Sequence, residues 1–351
     1  MTTPRDKQLL RSSGFPYGVN NLAKEEALPR DPNTGEVIAL REAENVDLDS
    51  SGKPSRRDGY TLVQAGSRMH SAWSDDYLPF GFEVDGEALY AVQADESRDL
   101  LVSGLALGLP LSYARINDAV WWTNSVQSGQ VTLELETRGW SAPHPNGEPS
   151  VAAAADGALD PGRYQVAVTF LDQWGRESGA ERAVVVTLDS VGAIAVTNLP
   201  QPPAGCRVRV YLTGANDAVL HAAVTVDAGV TTVLLTQPAQ GRRCDTLGLR
   251  PMPAGQLVAY GNGRQYVARG NEVLYSPALR YGLYDPKAAR VGFVQRVDML
   301  AFVGEGTDGA GLFVSDGKRT YFFGAPDPAN WSQRIAYPCG AVPGQIALVP
   351  G

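Results

Sequence analysis

Four short segments of this chain each combine a tight-turn dipeptide with a following run of apolar and aromatic residues. The turn-and-run pairs are Asp85-Gly86 before Leu89-Tyr90-Ala91-Val92, Asn117-Asp118 before Val120-Trp121-Trp122, Gly270-Asn271 before Val273-Leu274-Tyr275, and Asp316-Gly317 before Tyr321-Phe322-Phe323. Such dipeptides supply the positive φ angles of two-residue hairpin turns, and β-branched and aromatic residues favour strands. The pattern therefore predicts repeated β-hairpins and restricts the chain to a fold built of antiparallel sheet.

The spacing of these signatures predicts a repeated body with an insertion. The first two begin about 32 residues apart and the last two about 45, close to the roughly 40 to 50 residues of a four-stranded propeller blade. About 154 residues separate Asn117 from Asn271, and this gap becomes regular if a foreign domain of roughly a hundred residues is inserted there.

Composition narrows the function classes. Glycine and proline, at 38 and 24 of 351 residues, are typical of many short strands joined by turns. The net charge of −8 argues against a general polyanion binder, which needs clustered Lys and Arg, but suits an acidic channel wall that DNA passes without binding. No apolar run approaches the roughly 20 residues that cross a bilayer, and the N-terminus lacks the apolar stretch of a signal peptide. We expect neither a membrane helix nor secretion by that route.

Patterns along the chain predict three regions. Residues 1–36 are polar and proline-bearing, which predicts an extended N-terminal arm anchored by Phe15, Tyr17 and Leu22 where it docks on a neighbouring subunit. Short strand patterns begin at Val37, for example over residues 37–40 and 60–63.

A propeller-like β body is predicted over residues 37–140 and 251–351. After Trp140 a Pro-, Gly- and Ala-rich stretch through Asp156 marks a domain boundary. About six strand patterns with regular turn signals follow, and they predict an inserted β-sandwich over residues 141–250.

No motif predicts a metal site, a cofactor or a catalytic centre. The weighed candidates are an EF-hand-like spacing at Asp47, Asp49, Ser51, Gly52 and Asp58, a glycine spacing at Gly304, Gly306 and Gly309, the histidines His70, His144 and His221, and the cysteines Cys206, Cys244 and Cys339. The EF-hand-like loop carries three cationic side chains and a proline, which do not suit calcium binding. The glycine-spaced loop lacks the following helix that a phosphate-binding loop needs. The histidines and cysteines have no nucleophilic or zinc-ligand spacing, so the thiols are expected to be reduced. We expect no metal, no cofactor and no enzymatic activity.

The tryptophans could stack sugars, anchor a protein interface or lie in the core. Trp121 and Trp122 are adjacent on a predicted strand, so their side chains face opposite sides of the sheet. We expect one of them to be buried and the other to be an interface candidate.

Several segments together resemble structural proteins of tailed-bacteriophage virions. They are Asn45-Val46-Asp47-Leu48-Asp49 with Gly52, Arg56-Arg57 and Gly59-Tyr60; the run from Gly162 to Asp172 with Gly175-Arg176-Glu177-Ser178; and Arg209-Val210-Tyr211-Leu212-Thr213. The second and third resemble immunoglobulin- or fibronectin-like modules of phage tail proteins. A turn over residues 315–321 also resembles the Asp-box of sialidase-like propellers, where that motif is structural. The whole is most similar to the hub or packaged-DNA stabilisation proteins at the head–tail junction of short-tailed phages.

The resemblance implies a fold, a role and partners. The fold would be all-β, a propeller-like repeated β-sheet body interrupted by an Ig/fibronectin-III-like β-sandwich. The role would be a structural component of a phage tail or head–tail junction, assembled in the host cytoplasm, in which copies form a homo-oligomeric ring. Partners would be the portal or adaptor and tail fibre, spike or needle proteins, with phage DNA passing through without sequence-specific binding and no membrane contact.

Besides the arm, the predicted contact residues lie in the loop from Asp172 to Glu181. They are Asp172, Trp174, Arg176 and Glu177. The main alternative is a glycan- or receptor-binding tail-fibre or lectin-like protein, suggested by the tryptophans. A third reading, a hydrolase on a propeller, predicts several carboxylates converging at a central pocket.

Overall fold

A computed structural model describes residues 14–44, 46–57, 59, 62, 65–304 and 309–343. Over these residues the regular structure consists of small antiparallel sheets and two short 3-10 helices, Glu25–Ala27 and Pro328–Asn330. The predicted all-β class is therefore confirmed. The chain divides into two compact units, Met1–Ala65 and Gly66–Gly351, and each is described separately.

In the unit Met1–Ala65, β1 (Val46–Leu48) and β2 (Pro54–Arg56) pair as a hairpin. Residues 14–36, the described part of the segment predicted as an extended arm, contact residues of the same unit: the amide of Phe15 donates to Gly52 O at 2.6 Å and that of Tyr17 to Ile38 O at 3.2 Å. The strand predicted over 37–40 is wrong, because these residues make only isolated bridges. The strand predicted over 60–63 and Asp58 of the EF-hand-like spacing lie largely outside the described residues.

The unit Gly66–Gly351 begins with two four-stranded meanders, in which each strand pairs with the next along the chain. Sheet A contains β3 (Met69–Trp73), β4 (Phe80–Asp85), β5 (Ala88–Gln93) and β6 (Arg98–Val102). Sheet B contains β7 (Ser112–Ile116), β8 (Ala119–Thr123), β9 (Ser128–Thr132) and β10 (Thr137–Arg138).

Two sheets of a different kind follow between β10 and residue 250. The strands are β11 (Ser150–Leu159), β12 (Gly162–Leu171), β13 (Val184–Leu188), β14 (Gly192–Thr197), β15 (Arg207–Leu212), β16 (His221–Asp227) and β17 (Val233–Leu235). Sheet E has the order β11-β14-β17 and sheet F the order β13-β12-β15-β16. We call residues 150–249 the two-sheet segment.

The chain then returns to meander-type sheets. β18 (Arg250–Pro251) pairs with β22 (Leu283–Tyr284). Sheet C contains β19 (Leu257–Gly261), β20 (Arg264–Arg269), β21 (Glu272–Tyr275) and β23 (Arg290–Gly292). Sheet D contains β24 (Met299–Val303), β25 (Gly311–Ser315), β26 (Thr320–Phe323) and β27 (Arg334–Tyr337).

Sheets A to D stack in chain order through three apolar clusters, and we call them the four-sheet stack. Phe82 and Trp122 belong to the cluster between sheets A and B. Trp121 and Val258 belong to the cluster between B and C, and a third cluster joins C to D. Trp121 and Trp122 do face opposite sides, but both are 5% exposed, because sheet B is covered on each face. The expectation that one of them is available to a partner is therefore wrong.

The two-sheet segment has its own core. Inward side chains of sheet F, such as Val166, Val168 and Phe170, share one cluster with Ile194 and Val196 of sheet E. From Val166 to Phe170, every second residue of β12 belongs to this cluster, whereas Ala167 belongs to a separate cluster, as expected of a strand whose side chains alternate between two faces. Sheets E and F therefore pack face to face.

All four predicted hairpins are present, at registers that refine the prediction. Ile116 pairs with Ala119 and Arg269 with Glu272, which leaves the two predicted residues in each turn. The first turn is Gly86-Glu87, since Asp85 still pairs with Ala88. The fourth loop is four residues long, not two, because Ser315 pairs with Thr320.

Candidate functional site

The loop between β12 and β13 is held by Asp172. Its Oδ1 accepts hydrogen bonds from the amides of Trp174 at 3.0 Å and Arg176 at 2.9 Å, and its Oδ2 accepts from Arg176 Nε at 2.7 Å. Gly175 has φ +78°, a conformation that glycine adopts without steric cost. The Asp172 side chain is buried, so it fixes the shape of this loop from inside.

Glu177 closes the same loop from the outward side of sheet F. Its Oε1 accepts from Thr169 Oγ1 at 2.6 Å and Tyr211 Oη at 2.5 Å, and its Oε2 is paired with Arg209 at 3.3 Å and with Arg242. The Glu177 side chain is only 2% exposed. A buried carboxylate is costly unless it is paired and hydrogen-bonded, and here both oxygens have partners.

Trp174 is the exposed member of the loop, with 43% of its surface accessible. The guanidinium of Arg138 lies 4.3 Å from the centre of its ring and that of Arg176 lies 5.1 Å away. Arg176 Nη1 also donates to Gly139 O at 2.7 Å. Since Arg138 and Gly139 come from the end of sheet B, this group joins the two-sheet segment to the four-sheet stack. We call Arg138, Gly139, Trp174 and Arg176 the tryptophan latch.

Two clefts adjoin the tryptophan latch. The larger, of about 480 Å³, lies between residues 139–144 and the turns that carry Trp174 and Cys206. The smaller, of about 290 Å³, lies between Trp174, Arg242 and residues 279–283. Trp140, Ser141 and Ala142 line both clefts. The junction is thus incompletely filled, and its larger cleft is of a size that admits a ligand or a partner side chain.

His144 lines the larger cleft beside two charged groups. Its Nε2 lies 3.8 Å from Glu181 Oε1, and the same oxygen accepts from Arg250 Nη2 at 3.0 Å. Burial lowers the pKa of His144 below its ordinary value, against the opposite effect of the Glu181 charge. The ring is therefore held in its neutral form more strongly than a free histidine.

The structure separates the predicted contact residues into two groups. Asp172, Trp174, Arg176 and Glu177 lie together, but Asp172 and Glu177 are buried against intramolecular partners, and Trp174 and Arg176 form the accessible part. In the unit Met1–Ala65, Phe15 is half-buried, whereas Tyr17 and Leu22 are 66% and 94% exposed. The interface role of all seven residues stays a prediction.

Sequence reasoning missed Arg138, Arg209 and Arg242. No local signal marks Arg138 or Arg242, since each is brought to the loop from a distant part of the chain. Arg209 could have been found, because it alternates with inward Val208 and Val210 and must share a face with Tyr211.

Two of the other motif-like spacings shape their own loops, and Gly306 of the glycine spacing lies outside the described residues. Asp47 pairs with Arg57 at 3.0 Å, and Asp49 Oδ1 accepts from the amides of Ser51 and Lys53, both at 2.9 Å. Asp316 is buried and accepts from the amides of Lys318 and Arg319 within its hairpin loop. Within the described ranges, no group of three or more metal-binding side chains was found, and no helix there is long and apolar enough to cross a membrane.

Comparison with known proteins gives no family. No family model and no curated protein sequence matches the chain. Among solved structures, it is similar to a gluconolactonase of Xanthomonas campestris at 12% identity and a TM-score of 0.26, covering 78% of each chain. It is also similar to the Dos1 propeller, at 10% identity and a TM-score of 0.20, covering 80% of this chain and 70% of that one. A third is AztD of Citrobacter koseri, at 12% identity and a TM-score of 0.19, covering 73% and 79%.

These comparisons correct one expectation. The sequence analysis expected no enzymatic activity, but the matched structures include an enzyme, the gluconolactonase. We therefore withdraw the statement that this chain is not an enzyme. At a TM-score of 0.26 the match assigns no reaction to the chain.

Proposed function

We propose that this chain is a structural component of a bacteriophage tail or head–tail junction, a hub- or adaptor-type protein whose copies form a ring and dock neighbouring tail proteins or fibres. The supporting observation is the stack of four meander sheets, interrupted between sheets B and C by a two-sheet segment with a separate core. Such a body suits assembly, because each sheet is fixed by its neighbour and the interrupting segment presents further surface.

In the finer reading, the four-sheet stack is propeller-like and the two-sheet segment is an Ig/fibronectin-III-like sandwich, with domain boundaries near residues 36, 140 and 250. The number of strands in each sheet supports the propeller-like reading, since each of sheets A to D is a meander of four strands. The seven strands of sheets E and F, with the Gly162–Ser178 and Arg209–Thr213 motifs on β12, its loop and β15, agree with it. The net charge of −8 suits a channel that DNA passes by charge repulsion.

The experiment is sedimentation and negative-stain electron microscopy of the purified full chain, alone and with portal and adaptor proteins. We expect a ring of copies. Leu22→Ser should weaken the ring, because Leu22 is 94% exposed in the segment proposed to lie on a neighbour. A leucine this exposed in one copy is buried only where a partner covers it. Val294→Ser, at an 82% exposed position of the four-sheet stack, is the matched control. Monomers under all these conditions would refute the proposal.

A glycan-binding role is the second candidate, and the position of Trp174 favours it. Its ring is 43% exposed and lines a cleft, as a sugar-stacking residue would. Because the guanidiniums of Arg138 and Arg176 lie over that ring, a sugar that stacks on a face they cover must displace them. Binding on a glycan array that Trp174→Ala abolishes would support this role, and binding unchanged by that substitution would exclude Trp174 from it.

A further inference from the structure

The two-sheet segment is joined to the four-sheet stack by polar contacts. Within the described residues, the apolar clusters of the segment contain no side chain of sheets A to D, and the clusters of the stack contain none of sheets E and F. Every apolar core thus lies wholly on one side of the junction. Domain pairs that lack a large apolar interface move relative to each other by default.

Four of the described contacts across the junction involve an arginine. Arg138 packs on Trp174, and Arg176 donates to Gly139 O. Arg250 pairs with Glu181 at 3.0 Å, and Arg280 pairs with Asp245. Ion pairs and cation–π contacts at partly exposed sites are weak individually and are screened by salt.

Two further observations agree with a movable junction. The two clefts lie on either side of the tryptophan latch, so the surfaces that meet there are not close-packed as in the cores. The first chain connection contains Gly147 at φ +97°, a conformation typical of turns and bends.

We propose that the two-sheet segment is a hinged arm, and that the tryptophan latch holds it in the position described. Opening the latch moves the segment as a rigid body about residues 143–147 and the Leu249–Arg250 connection, while both sets of cores stay intact. Residues 241–248 move with the segment, because their backbone is hydrogen-bonded to Ala180, Leu220 and Ala222. A partner that binds better to the open or the closed arrangement then shifts the equilibrium between them. This inference does not depend on the proposed phage role, because it rests only on the junction contacts.

The test measures the distance between the arm and the stack by double electron–electron resonance. Spin labels at Asp118→Cys and Ala228→Cys report on exposed turns of the two parts, in a Cys339→Ser background because Cys339 is an exposed thiol. Trp174→Ala and Arg138→Ala open the latch from either side. Arg176 is left in place, since the buried Asp172 depends on it.

We expect one narrow distance population for the chain with an intact latch, and a distribution at least about twofold wider for each latch variant. Arg163→Ala, at an exposed arginine on β12 away from the junction, is the matched control and should leave the distribution unchanged. Raising the salt concentration to about 1 M, where the screening length is about 3 Å, should also widen the distance distribution of the chain with an intact latch.

Hydrogen exchange of the same samples distinguishes hinge opening from unfolding. Amides of β12 and β15 and of β5 and β8 should keep their protection when the latch opens. If a latch variant loses that protection, its wider distances reflect unfolding. The proposal is then tested only by the distance distributions of the intact latch at low and high salt. Identical narrow distributions at low and high salt would overturn the proposal and show a rigid junction.

Discussion

The sharpest test of the loop architecture is the substitution of Glu177 by glutamine. The change keeps the shape of the side chain and removes its charge, so Arg209 and Arg242 lose their shared carboxylate. Removing one partner of a buried ion pair costs about 3–5 kcal/mol. Because Arg209 and Arg242 are 19% and 47% exposed, and glutamine can keep hydrogen bonds to Thr169 and Tyr211, we expect about 2–4 kcal/mol.

The assay is native-state hydrogen exchange, because a chain with several cores does not unfold in one step. A loss of about 2–4 kcal/mol raises opening, and hence exchange, about 30-fold to 1,000-fold, at about 1.4 kcal/mol per factor of ten. The acceleration should appear in the amides of β12 and β15, which carry Thr169 and Tyr211. Amides of sheets A and B should be unaffected, since Glu177 contacts none of their residues in the described hydrogen bonds.

The matched control is Glu272→Gln on β21. Glu272 and Arg290 form an exposed pair at 3.9 Å, with side chains 41% and 58% exposed. Such pairs contribute about 0–1 kcal/mol, so exchange of β21 should rise less than about fivefold. If Glu177→Gln also stays below about fivefold at β12 and β15, the carboxylate does not stabilise this loop and the reasoning is refuted.

Three further predictions concern packing, titration and backbone conformation. Ile194→Ala, at a fully buried position, should cost about 2–5 kcal/mol of stability. Hydrogen exchange should become faster in sheets E and F while sheets A to D stay protected, and equal acceleration in all sheets would contradict separate cores. Burial lowers the pKa of His144 in the folded chain, so the unfolded chain binds the proton more readily, and the free energy of unfolding should fall as pH drops below about 6.5. His144→Gln should flatten this pH dependence, measured by urea titration at several pH values. An unchanged pH dependence in that variant would contradict the prediction. Gly86→Ala should cost about 1 kcal/mol, because Gly86 has φ +65° and open space where a Cβ would lie. Gly292→Ala should cost less, because Gly292 has equally open space but no positive φ. Equal melting temperatures of the two variants would exclude the backbone explanation.

Local signals predicted much of the strand content. The predicted run Leu89–Val92 lies in β5, and the predicted turns at Asn117-Asp118 and Gly270-Asn271 have the predicted length. The hairpin at Asn262-Gly263 was not predicted, although Asn-Gly is a strong signal for a two-residue turn and both residues have positive φ, +49° and +64°.

Other features had no local signal. The Pro-, Gly- and Ala-rich stretch through Asp156 was predicted to mark a domain boundary and not a strand, yet residues 150–159 form the longest strand of sheet E. Alanine has little intrinsic strand preference, and β11 exists because β14 supplies its hydrogen-bond partner. Charged residues in a polar loop are ordinarily solvated, which is why Asp172 and Glu177 were predicted to face a partner.

The amino-acid sequence by itself determined where the chain turns and which residues alternate along each strand, because positive φ angles and the two-residue period depend only on neighbouring residues. Only the tertiary structure decided what covers each face. Sheet stacking buries both Trp121 and Trp122, and Arg138, Arg209 and Arg242 converge on one loop from distant positions. Burial and charge pairing are set by contacts between residues far apart in the chain, and these contacts distinguish the buried acids from the exposed Trp174.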